Sequence, residues 1–85
     1  MEEFAVHYVF GMMAEGNRTW EHQVEEILTA ADLDEAGTIL LERLGKPTFA
    51  IDDSYGERVL IQSANVRCCR ITPRSKRDAI HVKPF

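Results

Sequence analysis

Apolar positions alternate from the start of the chain. Over residues 3–12, Phe4, Val6, Tyr8 and Phe10 fall at every second position, with Ala5, His7 and Val9 between them. Successive side chains of a strand point to opposite faces, so this is a β pattern, and the apolar second face predicts a central strand. Met12 and Met13 follow, as packing filler or, if exposed, as adaptable contact surface. Gly16-Asn17 marks a turn.

The period then changes. Over residues 19–31, Trp20, Val24, Ile27, Leu28 and Ala31 are spaced i, i+4, i+7, i+8 and i+11, which is one face of a 3.6-residue repeat. A strand would mix Glu25 with Ile27 and Glu26 with Leu28. The expectation is an amphipathic helix, with the Thr19 hydroxyl capping its N-terminus and Glu21 at the positive end of its dipole. A second helix over residues 32–45 opens on Asp32-Leu33-Asp34-Glu35, an acidic form of the capping box. Leu33, Ala36, Gly37, Leu40, Leu41 and Leu44 share its inner face. Gly45, as a left-handed residue after the last turn, and Pro47 stop it. Gly37 costs about 1 kcal/mol against alanine, and close packing is its expected reason. One kinked helix is the alternative; the Asp32-Leu33-Asp34 break favours two.

Strand patterns resume at residues 48–51, with Phe49 and Ile51 on one side, and at 58–62. Between them Asp52-Asp53-Ser54-Tyr55-Gly56-Glu57 is a hairpin loop, its short polar side chains able to bond their own backbone. Residues 63–65 make a turn or bulge. Residues 66–71 form a further strand, ended by Pro73, which cannot donate to a ladder. Residues 72–78 read as a basic loop and 79–85 as a short edge strand blunted by Lys83 and Pro84. The predicted architecture is a small single α+β domain over residues 1–85. An antiparallel sheet of four to five strands carries two amphipathic helices on one face, in the order β-α-α-β-β-β with a terminal strand.

Composition supports one globular domain. Eighty-five residues, 45% of them hydrophobic, suffice for one core without metal or disulfides. No apolar run of membrane-spanning length occurs. Glu2 and Glu3 stand where a secretory signal would be basic, which points to the cytoplasm. Cys68 and Cys69 are adjacent, so on a strand they face opposite ways, one inward and one outward, as free thiols.

Charge is unevenly spread. Residues 1–57 hold 13 acids and 3 bases, and residues 58–85 hold 7 bases and 1 acid. On the helical reading, Glu21, Glu25, Glu26, Asp34, Glu35 and Glu42 offer carboxylates to solvent, with Ile39 among them as either a second buried side or a partner contact. Arg67, Arg70, Arg74, Lys76 and Arg77 form a basic run able to neutralise phosphates. No aromatic residues are interleaved with it to stack bases.

Catalytic and metal-binding motifs are missing. No histidine or cysteine pair has zinc-ligand spacing, and Asp52, Asp53 and Glu57 lack the pattern of a calcium loop. There is no nucleophile elbow, phosphate-binding glycine loop or dinucleotide fingerprint. His7, Tyr8, Ser63 and Cys69 could assemble a site only if the fold brought them together. The chain is therefore expected to work without a cofactor, as a protein-interaction module rather than an enzyme. In size and acidity it resembles small phage-encoded inhibitors of bacterial defence systems, anti-CRISPR proteins among them. That resemblance implies carboxylates bound to a basic surface of a partner protein, in competition with nucleic acid. Nucleic-acid binding through residues 67–77 is the alternative, and a small-ligand binder or an enzyme around His7 or Cys69 is a third. A homodimer through a strand edge is compatible with each.

Overall fold

β1 (Glu2–Glu15) is the central strand of a three-stranded antiparallel sheet, with β2 (Arg18–Ala30) on one side and β5 (Cys68–Pro73) on the other. α1 (Leu33–Leu44) follows β2, and β3 (Thr48–Asp52) and β4 (Arg58–Gln62) form a separate two-stranded antiparallel sheet. The computed structural model describes residues 1–75; the edge strand expected over 79–85 and the two bases Lys76 and Arg77 lie outside them.

Fold class is α+β as expected, but the described residues form five strands in two antiparallel sheets and one α-helix. The helix expected over residues 19–31 is instead β2. It pairs with β1 along its whole length, from Glu2 opposite Ala30 to Glu15 opposite Arg18. Thr19 is therefore no cap, and Trp20 is 42% exposed rather than in the core. The mixing of acid and hydrocarbon that argued against a strand is real, and the fold accommodates it. Val24, Leu28 and Ala30 face inward with Glu26, while Glu25 and Ile27 face the other way.

Glu26 is 6% exposed. Its Oε1 lies 2.6 Å from Arg43 Nη1 on α1 and accepts from the Tyr8 hydroxyl at 2.8 Å. Arg43 Nη1 also donates to the Tyr8 oxygen at 2.8 Å. The triangle satisfies a carboxylate that would otherwise cost several kcal/mol to bury. Around it, Phe4, Val6 and Tyr8 of β1, Leu28 and Ala30 of β2, Ala36 and Leu40 of α1, Ile51 of β3 and Ile61 of β4 close the core. The Tyr8 and Phe49 rings meet at 5.7 Å, tilted by 49°.

α1 matches its predicted span and its acidic start. Asp32 Oδ1 accepts from the Glu35 N–H at 2.8 Å, and Glu35 Oε1 reaches back to the Ala31 N–H at 3.0 Å. Asp34 and Glu35 in the first turn and Arg43 in the last suit the two ends of the dipole. Its buried stripe is narrower than expected: Ala36 and Leu40 are buried, while Leu33 and Leu41 are exposed. The helix expected over residues 19–31, which would have covered them, is a strand. Gly45 keeps right-handed geometry (φ −74°) rather than the left-handed form, donating to Leu41 O at 3.0 Å.

Gly37 does not serve close packing: a Cβ built there meets nothing within 4 Å. Gly37→Ala should therefore recover the propensity cost alone, raising unfolding free energy by about 1 kcal/mol. A denaturant midpoint shifted upward at unchanged slope is the expected result.

Candidate interaction surface

The β1–β2 hairpin turns at Gly16-Asn17. Gly16 has φ 63° and Asn17 does not have positive φ, so the loop has the form with glycine at its first position, whose twist matches paired strands. Five residues earlier the ladder slips: Val9 faces Gln23, but Gly11 (φ 151°) faces His22, leaving Phe10 as the extra residue. The bulge switches which β1 side chains face inward. Phe10 is inward before it; Met13, opposite Trp20, is inward after it.

β5 stops at the same place. Its last partner on β1 is Val9, opposite Cys68, and the Arg67 N–H donates to Val9 O at 2.8 Å. Beyond this point β1 and β2 continue as a two-stranded arm. An isolated two-stranded ribbon is only marginally stable in water. Its inward face prolongs the core face: Val24 and then Phe10 still pack against the core, and beyond them Met13 and Trp20 are 45% and 42% exposed, with Met12, on the reverse side, 62%. The Phe10 and His22 rings meet at 5.4 Å. β4 forms the opposite wall. Between the two lies an open groove of about 400 Å³ lined by Phe10, His22, Val24, Val59, Leu60 and Gln62, with Leu60 79% exposed. A second hollow, of about 500 Å³, lies at the tip against Glu15, Gly16, Arg18 and Trp20.

The expected acidic partner-binding set is dispersed. Glu21 lies on the outer sheet face, held by Arg70 through two hydrogen bonds of 2.9 and 2.8 Å. Glu25 lies on that face too, 2.8 Å from His7 Nε2. Glu26 is inside the core. Asp34 and Glu35 are in the first turn of α1, Glu35 occupied in the cap, while Glu42 is exposed farther along it. Ile39 packs against the core, which is the buried alternative of its two readings. The basic run is interrupted likewise: Arg70 binds Glu21 and Arg74 binds Glu3 at 2.7 Å, while Arg67 is exposed.

Of the groups of the enzyme alternative, Tyr8 and Cys69 are cross-strand neighbours, but His7 lies on the opposite face and Ser63 is bonded elsewhere. His7 points to the outer face and Tyr8 to the inner. Cys69 lies opposite Tyr8, and the Ser63 hydroxyl donates to the Lys46 carbonyl. Burial, and then the neighbouring Cys68, push the Cys69 thiol up, away from the thiolate a nucleophile needs. Burial, with the Glu26 carboxylate second, raises the Tyr8 phenol well above its ordinary range. Among the described residues no group of three metal-ligating side chains converges. In the β3–β4 loop, Asp53 accepts from the Tyr55 and Glu57 N–H groups, and Asp52 is bound by Arg58. No helix among the described residues is long and apolar enough to cross a membrane.

Of these features Trp20 and Met13 were not singled out as a surface from the sequence. The only signal was the Met12-Met13 pair, adaptable if exposed. Comparison with known proteins adds nothing: no family model matches the chain, and no curated protein or solved structure matches it.

The Arg70 hydrogen bonds, foremost, hold the Glu21 carboxyl below the usual carboxylate range. A carboxyl depressed in the folded state stabilises it above the unfolded pKa, and that contribution disappears as pH falls through the folded pKa. In an NMR titration, Arg70→Ala should move the Glu21 midpoint upward to the ordinary range. An unmoved midpoint would mean the ion pair does not persist in solution.

Proposed function

We propose that this chain is a small protein-binding module that docks through the inward face of its β1–β2 arm and the facing edge of β4. The supporting observation is the exposed apolar surface of Met13, Trp20 and Leu60, which continues outward from Phe10 and Val24, half-buried against the core. Tryptophan is enriched where binding energy concentrates, and methionine adapts to irregular partners. The partner surface that fits is an apolar projection with a basic rim. The chain holds 14 acids against 10 bases, and a net charge of −4 favours encounter with a positive surface. Inhibition by occupying a basic protein surface remains the mode of action we favour, with the acidic residues steering and the arm supplying contact.

This reading separates the arm from the helix. In affinity capture from the native host, Trp20→Ala with Met13→Ala should weaken partner binding by about 30-fold or more, the scale of a central hot spot. Glu35→Lys with Glu42→Lys should leave the contact in place and reduce mainly its association rate and salt dependence. Partner binding that survives the arm substitutions and is abolished by the helix ones would assign docking to α1 instead.

A further inference from the structure

We propose that two copies of this chain pair through the arm portion of β2, antiparallel and centred on Trp20, so that their docking strips join across a two-fold axis. The inference rests on the arm being a docking element and adds what occupies its edge.

Among the described residues β2 is an edge strand, bonded to β1 on one side only. Main-chain groups of alternate residues point outward at such an edge. Glu25 is one of them, and its carbonyl is already taken: the Ser54 N–H of the β3–β4 loop donates to it at 2.9 Å. That bond blocks the inner part of the edge. By the same alternation Thr19, Glu21 and Gln23 offer their N–H and C=O groups outward along the arm, and no described strand pairs with them. The open window thus runs from Asn17 at the turn to Gln23, and its midpoint is Trp20.

β5 ends with Pro73 opposite Phe4, at the end of β1 away from the arm. A second copy fits by charge. With the two-fold at Trp20, Thr19 faces Glu21 of the second copy, Arg18 faces its His22 and Asn17 its Gln23. No two acids stand opposite. Moving the centre to Glu21 would set two carboxylates face to face, which is unfavourable. A two-fold pairing is self-complementary by construction, the commonest arrangement for a soluble homo-oligomer. Both Trp20 side chains then lie on the same face of a continuous six-stranded sheet, each covering an edge of the other.

Trp20 is the single tryptophan of the chain, so its fluorescence reports on this contact directly. The experiment is sedimentation equilibrium combined with emission spectra over a dilution series, on the full chain. Wild type should be a dimer whose emission shifts to the red as it dissociates. Trp20→Ala should raise the dimer dissociation constant by about 30-fold or more. Thr19→Pro removes an outward N–H while keeping the tryptophan, and should give a monomer with red-shifted emission at every concentration. A wild type still monomeric at about 0.5 mM, weaker than most functional association, overturns self-pairing. So does a dimer that both variants leave intact. Self-pairing and docking fail separately: a monomeric wild type whose arm variants still lose the partner in affinity capture removes the dimer and keeps the docking strip.

Discussion

One buried carboxylate decides how this chain is put together. Glu26 faces the core from the middle of β2, and the fold tolerates it because Arg43 and Tyr8 meet it at hydrogen-bond distance. Each partner comes from a different element: the tyrosine from the central strand, the arginine from the last turn of α1. The contact therefore fixes the helix against the sheet in position and in rotation. Ala36, Leu40 and Arg43, on one stripe of α1, reach the core together. A hydrophobic residue at position 26 would pack without choosing among rotations of the helix; the ion pair accepts one.

The same contact explains what the sequence conceals. Residues 19–31 carry two periodicities at once. At even positions Trp20, Val24, Leu28 and Ala30 are apolar, but His22 and Glu26 break the alternation. At helical spacing Trp20, Val24, Ile27 and Ala31 leave no acid inside, so the helix looks cleaner. The partners that make Glu26 acceptable lie 18 residues before it and 17 after it, beyond any local pattern. Elements whose cores are free of charge were legible. β1 alternates through Phe4, Val6 and Tyr8, and α1 begins at an aspartate cap. The β3–β4 hairpin turns through Asp53, which bonds its own loop, and Gly56 at φ 85°.

The interaction surface was hidden by the same exchange. Once β2 is a strand as long as β1, the hairpin outruns β5 and the helical layer, and Trp20 leaves the core for the uncovered arm. The bulge at Phe10 then brings Met13 beside it, a pairing that depends on one extra residue in one strand. The negative surface expected from paired helices dissolves in turn. Glu21 and Glu25 move to the outer sheet face, where Arg70 and His7 meet them. Acid and base that are far apart in sequence thus partly cancel within the sheet, and the most distinctive feature left uncovered is apolar.

The central claim is that Arg43 stabilises the fold through the charge of Glu26, and a double-mutant cycle measures it. Arg43→Met in the native sequence leaves a buried carboxylate without its cation and should lower unfolding free energy by about 3 kcal/mol. In a Glu26→Gln background, which keeps an oxygen for the Tyr8 hydroxyl, the same change should cost about 1 kcal/mol or less, giving a coupling of about 2 kcal/mol. Equal costs in the two backgrounds would contradict the account and place Glu26 in solvent, as the helical reading of residues 19–31 requires.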